Sequence, residues 1–149
     1  MLRLRLTLIV LCLFALASMA ATAASAHRSM EADDAVGRKV SKYARRFVGV
    51  PYRYGGMSPR SGFDCSGFVA FVYSHFGIRL PHYTYAQFGR GRHVSGRALR
   101  PGDLVFFYGV GHVGLYVGHR RFIHAPHSGA RVRVERFRYA GFAGARRVI

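Results

Sequence analysis

The stretch Phe63-Asp64-Cys65-Ser66-Gly67-Phe68-Val69-Ala70-Phe71-Val72-Tyr73-Ser74-His75-Phe76-Gly77 decides the architecture of this chain. From Cys65 to about Phe76, apolar residues at Phe68, Val69, Val72, Tyr73 and Phe76 follow helical spacing. They cover most of the circumference, so the helix is expected to be buried, with Gly77 ending it. Cys65 then stands at the helix N-terminus, where unpaired backbone N–H groups and the macrodipole favour a thiolate. Asp64 beside it opposes a second negative charge and needs another task, either capping the helix or gripping a substrate amine. The competing reading of Cys65 is an inert, buried small residue.

Upstream, Val36, Val40, Tyr43, Ala44 and Phe47 predict an amphipathic helix over Asp33–Val48, stopped by Gly49 and Pro51. Residues 1–26 read as a secretory signal peptide, with Arg3 and Arg5, an apolar run from Leu6 to Ala20, and Ala24-Ser25-Ala26 as cleavage pattern. That run is shorter than the roughly 20 residues of a spanning helix, so no stable membrane anchor is expected after cleavage. Cys12 leaves with the leader, and Leu11 is too large for a lipoprotein processing site. Cys65 is then the one thiol of an exported chain, periplasmic or secreted, where a disulfide framework would need an even number. The expected organisation is a signal peptide over 1–26, a short polar tail over 27–35, and one domain over 36–149, acting as a monomer.

Downstream, Tyr52–Gly62 is a glycine-rich ordered loop, Thr84–Phe88 a short helix, and Gly89–Arg100 a basic loop. The period then becomes that of strands, at Asp103–Tyr108, His112–Val117, Arg121–Ala125, Arg131–Phe137 and Ala145–Ile149. Helices first and a strand meander afterwards imply an α+β fold, with an antiparallel sheet packed on the Cys65 helix.

His112 and His124 lie in successive strands about the turn Gly118-His119-Arg120, and their mean position is inside that turn. A hairpin symmetric about it sets the two side by side, one to contact a thiol and the other to orient it. Ordinary half-buried histidines are the simpler alternative. A zinc site from Cys65, His112 and His124 lacks the close-spaced Cys-Cys or His-Glu-x-x-His patterns, so no metal and no cofactor is assigned. The remaining histidines, His27, His75, His82, His93, His119 and His127, read as surface or loop residues.

The chain carries 23 Lys and Arg against 6 Asp and Glu, a formal charge of +17 that falls to about +15 when Arg3 and Arg5 leave with the leader. Such a field attracts anionic polymers. Export argues against nucleic acid, despite the basic stripe at Arg131, Arg133 and Arg138, and points to anionic envelope polymers.

Taken in order, Val50-Pro51-Tyr52-Arg53-Tyr54-Gly55-Gly56, Phe63-Asp64-Cys65-Ser66-Gly67-Phe68-Val69, Leu80-Pro81, Arg100-Pro101-Gly102-Asp103-Leu104-Val105-Phe106-Phe107, His112-Val113-Gly114-Leu115-Tyr116-Val117-Gly118 and Phe122-Ile123-His124-Ala125 resemble the NlpC-type cell-wall cysteine peptidases. The likeness runs from about Val36 to Ile149 and implies a papain-like fold. It also implies Cys65 as nucleophile, His112 as general base and His124 as polar third member. Tyr52 matches a tyrosine near the oxyanion site, and Asp64 and Ser66 match positions that bind the substrate's amine end. The implied activity is hydrolysis of peptidoglycan stem peptides, at the bond between γ-D-glutamate and diaminopimelate or lysine. An amidase, a crosslink-cleaving endopeptidase and a non-catalytic envelope-binding module are the competing readings.

Overall fold

The computed structural model describes residues 2–149, with side chains at Met19 and from Thr22 onward. Arg3, Arg5, Cys12 and most of the expected leader's apolar side chains lie outside the described set. The chain divides into two compact units, Met1–Asp33 and Asp34–Ile149. Helix α1 (Leu2–Ala44) holds the described residues of the first and opens the second. Among the described residues no helix is long and apolar enough to cross a membrane.

Residues 27–35, expected as a polar tail, are helical within α1. Met30, Glu31 and Ala32 are adequate helix formers and His27 approaches Glu31 to 3.4 Å one turn on, so nothing local halts the helix. Asp33 and Asp34 therefore lie inside the helix rather than at its start. Val40 and Ala44 are fully buried, and a 3-10 turn, Arg45–Phe47, closes the segment.

The second unit is built around helix α2 (Cys65–Ser74), in which Phe68, Val69, Val72 and Tyr73 are fully buried. Two short strands, β1 (Met57–Ser58) and β2 (Gly62–Phe63), pair in the glycine-rich loop ahead of it. Helix α3 (Thr84–Phe88) follows. The main sheet has six antiparallel strands: β3 (Arg92–Val94), β4 (Leu104–Phe107), β5 (His112–Gly118), β6 (Arg121–His124), β7 (Arg133–Arg136) and β8 (Phe142–Arg147). Their spatial order is β3-β8-β4-β5-β6-β7.

This is the expected α+β fold, with two corrections. The chain is not a simple meander, because β8 returns to pair with β4 rather than lying beside β7. The supposed basic loop holds β3, an edge strand whose Arg92 and His93 hide the strand signal while discouraging edge-to-edge pairing.

Alternation along the strands separates two apolar layers. Leu104, Phe106, Val113, Leu115, Val117 and Ile123 pack with α2, whereas Val105, Phe107, Tyr116, Phe122 and Phe137 form a second cluster. Phe137, just past β7, meets Phe142 of β8 at 5.3 Å between ring centroids, across the whole span of β4, β5 and β6. The sheet is therefore strongly curled, with this second layer inside the curl.

Candidate active site

Residues 51–53 run alongside β2, with Arg53 donating to the Phe63 carbonyl at 2.9 Å and Phe63 to that of Pro51 at 3.1 Å. This brings Tyr52 next to the corner where β2 becomes α2. Burial raises the Tyr52 phenol above its usual 10.0, and the nearby Cys65 and Asp64 raise it further.

Asp64 is the N-cap of α2. Its Oδ1 accepts from the Gly67 amide at 2.7 Å and from the Ser66 hydroxyl at 3.2 Å, and its Oδ2 accepts from the Gly55 amide at 3.0 Å. His82 Nε2 lies 2.8 and 2.7 Å from the two carboxylate oxygens. Of the two tasks open to Asp64, capping is the one this geometry performs. Ser66 is buried in the same knot, its carbonyl accepting from Gln87 Nε2 at 2.9 Å. His82, expected to be a plain loop residue, is a partner of that cap. Gln87 is fully buried and also donates to the Pro81 carbonyl at 2.8 Å. Nothing in the local pattern around either residue announced these contacts.

Gly67 has a steric reason. A Cβ there would lie 2.1 Å from the Gly56 carbonyl oxygen and 3.0 Å from His82 Nε2. Only a bare Cα lets the loop, the cap and the helix start converge.

Cys65 is a free, partly exposed thiol at the first position of α2. Burial pushes its pKa above 9.0; the Val113 backbone N–H, within hydrogen-bonding reach, opposes this, and the Asp64 carboxylate adds to it. The sulfur is thus held against the residue that follows His112.

His112 Nε2 and His124 Nδ1 share a 2.7 Å hydrogen bond. The register differs from a hairpin symmetric about Gly118. The rungs are Leu115–Ile123, Tyr116–Phe122 and Gly118–Arg121, with an irregularity between Tyr116 and Gly118. His124 therefore lies diagonal to His112 and beside Gly114, where a Cβ would come 3.2 Å from His124 Cβ. Burial lowers both imidazoles from 6.5 to about 4, with each other's proximity adding to it for His124. Among the described residues no three His, Cys, Asp or Glu side chains are grouped so as to hold a metal ion.

A cavity of about 740 Å³ opens beside the imidazole pair, bordered also by Phe107, Phe122, Glu135 and Arg133. Cys65 is not part of its wall. Arg133 is tied to Glu135, and Arg131 donates to the Gly49 carbonyl at 2.9 Å, so much of the basic stripe is internally engaged.

Cys65 at the start of α2, Tyr52 from the preceding loop and the His112–His124 pair on the sheet are the reactive groups this fold presents, and residues 49–145 match the NlpC/P60 family. The chain belongs to that family. It is 41% identical over 95 residues to the Gamma-DL-glutamyl hydrolase of Bacillus subtilis, covering 60% of this chain and 23% of that protein. It is 37% identical over 123 residues to the peptidoglycan endopeptidase RipA of Mycobacterium tuberculosis, covering 70% and 26%. With the murein DD-endopeptidase MepH of Escherichia coli the identity is 39% over 114 residues, covering 68% and 42%. The chain thus spans less than half the length of each. An NlpC/P60 family protein from Bacillus cereus superposes with a TM-score of 0.71 at 34% identity, covering 75% of this chain and 40% of that one. The NlpC/p60 domain of the peptidoglycan hydrolase SagA superposes at 0.68 and 34%, covering 73% and 96%.

Proposed function

We propose that this protein is a thiol-dependent peptidoglycan endopeptidase, exported by its leader, which cuts stem peptides between γ-D-glutamate and diaminopimelate or lysine. The observation that carries this reading is the thiol of Cys65 within reach of the amide of Val113, the residue after His112, whose imidazole is hydrogen-bonded to that of His124.

Neutral imidazoles and a protonated thiol suit general-base activation during attack, rather than a preformed ion pair. His112 takes the thiol proton as the sulfur attacks the amide carbonyl. Tyr52 donates its hydroxyl to the developing oxyanion, an interaction worth about 3 kcal/mol at comparable sites. His112 then passes the proton to the departing amine, leaving an acyl-enzyme on Cys65. Water, deprotonated by the same imidazole, attacks that thioester and restores the thiol. Asp64 and Ser66 support the amine end of the substrate chiefly by holding the corner rigid, since the Asp64 carboxylate is already engaged. Arginine-rich surfaces favour anionic envelope polymers as the surroundings in which the enzyme works.

Similarity to MepH favours one competing assignment, cleavage of a crosslink. Digestion of purified sacculi with the parent, Cys65→Ala and His112→Ala, followed by mass spectrometry of the fragments, tests the reading. Release of γ-D-glutamyl termini by the parent alone is expected. Equal release by all three proteins overturns the hydrolase assignment, and fragments cut only at crosslinks move it to the competing bond.

A further inference from the structure

We propose that Glu135 is a positioning residue that sets the tautomer of His124 and, through it, that of His112. The inference rests on the hydrolase reading above, because its consequence is a base competent to take the thiol proton.

A hydrogen bond between two neutral imidazoles joins one N–H to one bare nitrogen. Two arrangements satisfy the 2.7 Å contact between His112 Nε2 and His124 Nδ1. In the first, His112 donates from Nε2 and keeps Nδ1 bare, free to receive a proton; His124 then carries its own hydrogen on Nε2. In the second, His124 donates from Nδ1, and His112 has its hydrogen on Nδ1 and its lone pair occupied. Only the first leaves His112 able to act as a base.

The surroundings of His124 Nε2 select the first. This atom is buried without a hydrogen-bond partner, and Glu135 Oε2 lies 3.5 Å from it. A carboxylate so close favours an N–H there and disfavours a bare lone pair. Glu135 is itself held, since its other oxygen accepts from Arg133 Nε. The register explains the placement: β6 and β7 pair His124 with Arg133 and Phe122 with Glu135, so Glu135 reaches His124 along the diagonal. His112, His124 and Glu135 thus step across three neighbouring strands, each one diagonal from the last. Burial raises the Glu135 carboxyl, but Arg133 and His124 outweigh it and hold the group below 4.5, hence ionised at neutral pH.

The test is nitrogen NMR of the whole chain with labelled histidine, together with kinetics of muropeptide cleavage. In the parent, His124 is expected to be protonated on Nε2 and bare on Nδ1. Glu135→Ala should mix the two tautomers and lower kcat about tenfold, with KM within about twofold. Glu135→Gln, which keeps a neutral acceptor of the same shape, should fall between and guards against misfolding of the alanine variant. The charged groups facing the pair are Glu135 and Arg133 beside His124, and Glu135 and His127 beside His112, so kcat should be followed against pH in each variant. His124 protonated on Nδ1 in the parent overturns the proposal. So does an unchanged tautomer in Glu135→Ala, even if melting temperature drops, because a merely structural role moves only the latter. If the parent cleaves no better than Cys65→Ala, the hydrolase reading fails instead, and the NMR spectrum still decides the role of Glu135.

Discussion

His124 reaches His112 from beside Gly114, a residue without a side chain, and the two rings meet nearly edge to face at 79°. The diagonal contact exists because the β5–β6 register is displaced from a symmetric hairpin and because Gly114 leaves the intervening position empty.

Gly114→Ala should therefore disturb the imidazole pair. The new methyl would come 2.6 Å from Phe122 Cδ2 and 3.2 Å from His124 Cβ. A loss of about 1–3 kcal/mol in denaturant melts is expected from overpacking, with a larger proportional loss in sacculus digestion. Full activity in a destabilised variant would contradict the spacing role.

The histidine pair should make the protein acid-sensitive. Folded, both imidazoles titrate at about 4; unfolded, near 6.5. Between those values the unfolded chain binds protons that the folded one refuses, so stability is complete above pH 6.5 and declines as pH falls towards 4. Thermal melts across this window should show a steep fall, and His124→Gln should flatten it.

Alkylation of Cys65 by iodoacetamide should keep accelerating into the alkaline range, since burial and Asp64 hold the thiol above 9.0. Asp64→Asn removes the neighbouring charge and should speed the reaction near neutral pH. A rate plateau below pH 7 in the parent would show a preformed thiolate.

Breaking the Asp64 knot should cost stability. Asp64→Ala deprives the Gly67 and Gly55 amides of their acceptor, and about 1–2 kcal/mol should be lost in chemical denaturation. His82→Ala leaves a buried carboxylate without its closest side-chain partner and should lose a similar amount. An unaltered midpoint in both would dismiss the knot as incidental.

Most of the framework was legible in the chain. The apolar run after Cys65 specified a buried helix by periodicity, and Gly–Pro punctuation after Arg100 marked β4 to β6 within a residue or two. What escaped depended on distance along the chain. β8 lies beside β4, where Arg147 meets Asp103 at 2.6 Å, and no local pattern encodes that ion pair. His82 and Gln87 become partners of the helix start through tertiary contacts, as does Glu135 of His124. The signal for Glu135 was faint but present: an acidic residue alternating with arginines in a strand, in a chain with few acids.

The cavity that borders His112 and His124 leaves Cys65 outside its wall, so the imidazole pair has an approach of its own. On the proposed mechanism, a small molecule lodged there and hydrogen-bonded to the imidazoles would compete with proton transfer while leaving the sulfur uncovered. An inhibitor seated there would need no electrophile, and on that mechanism its signature would be lost turnover with undiminished thiol labelling.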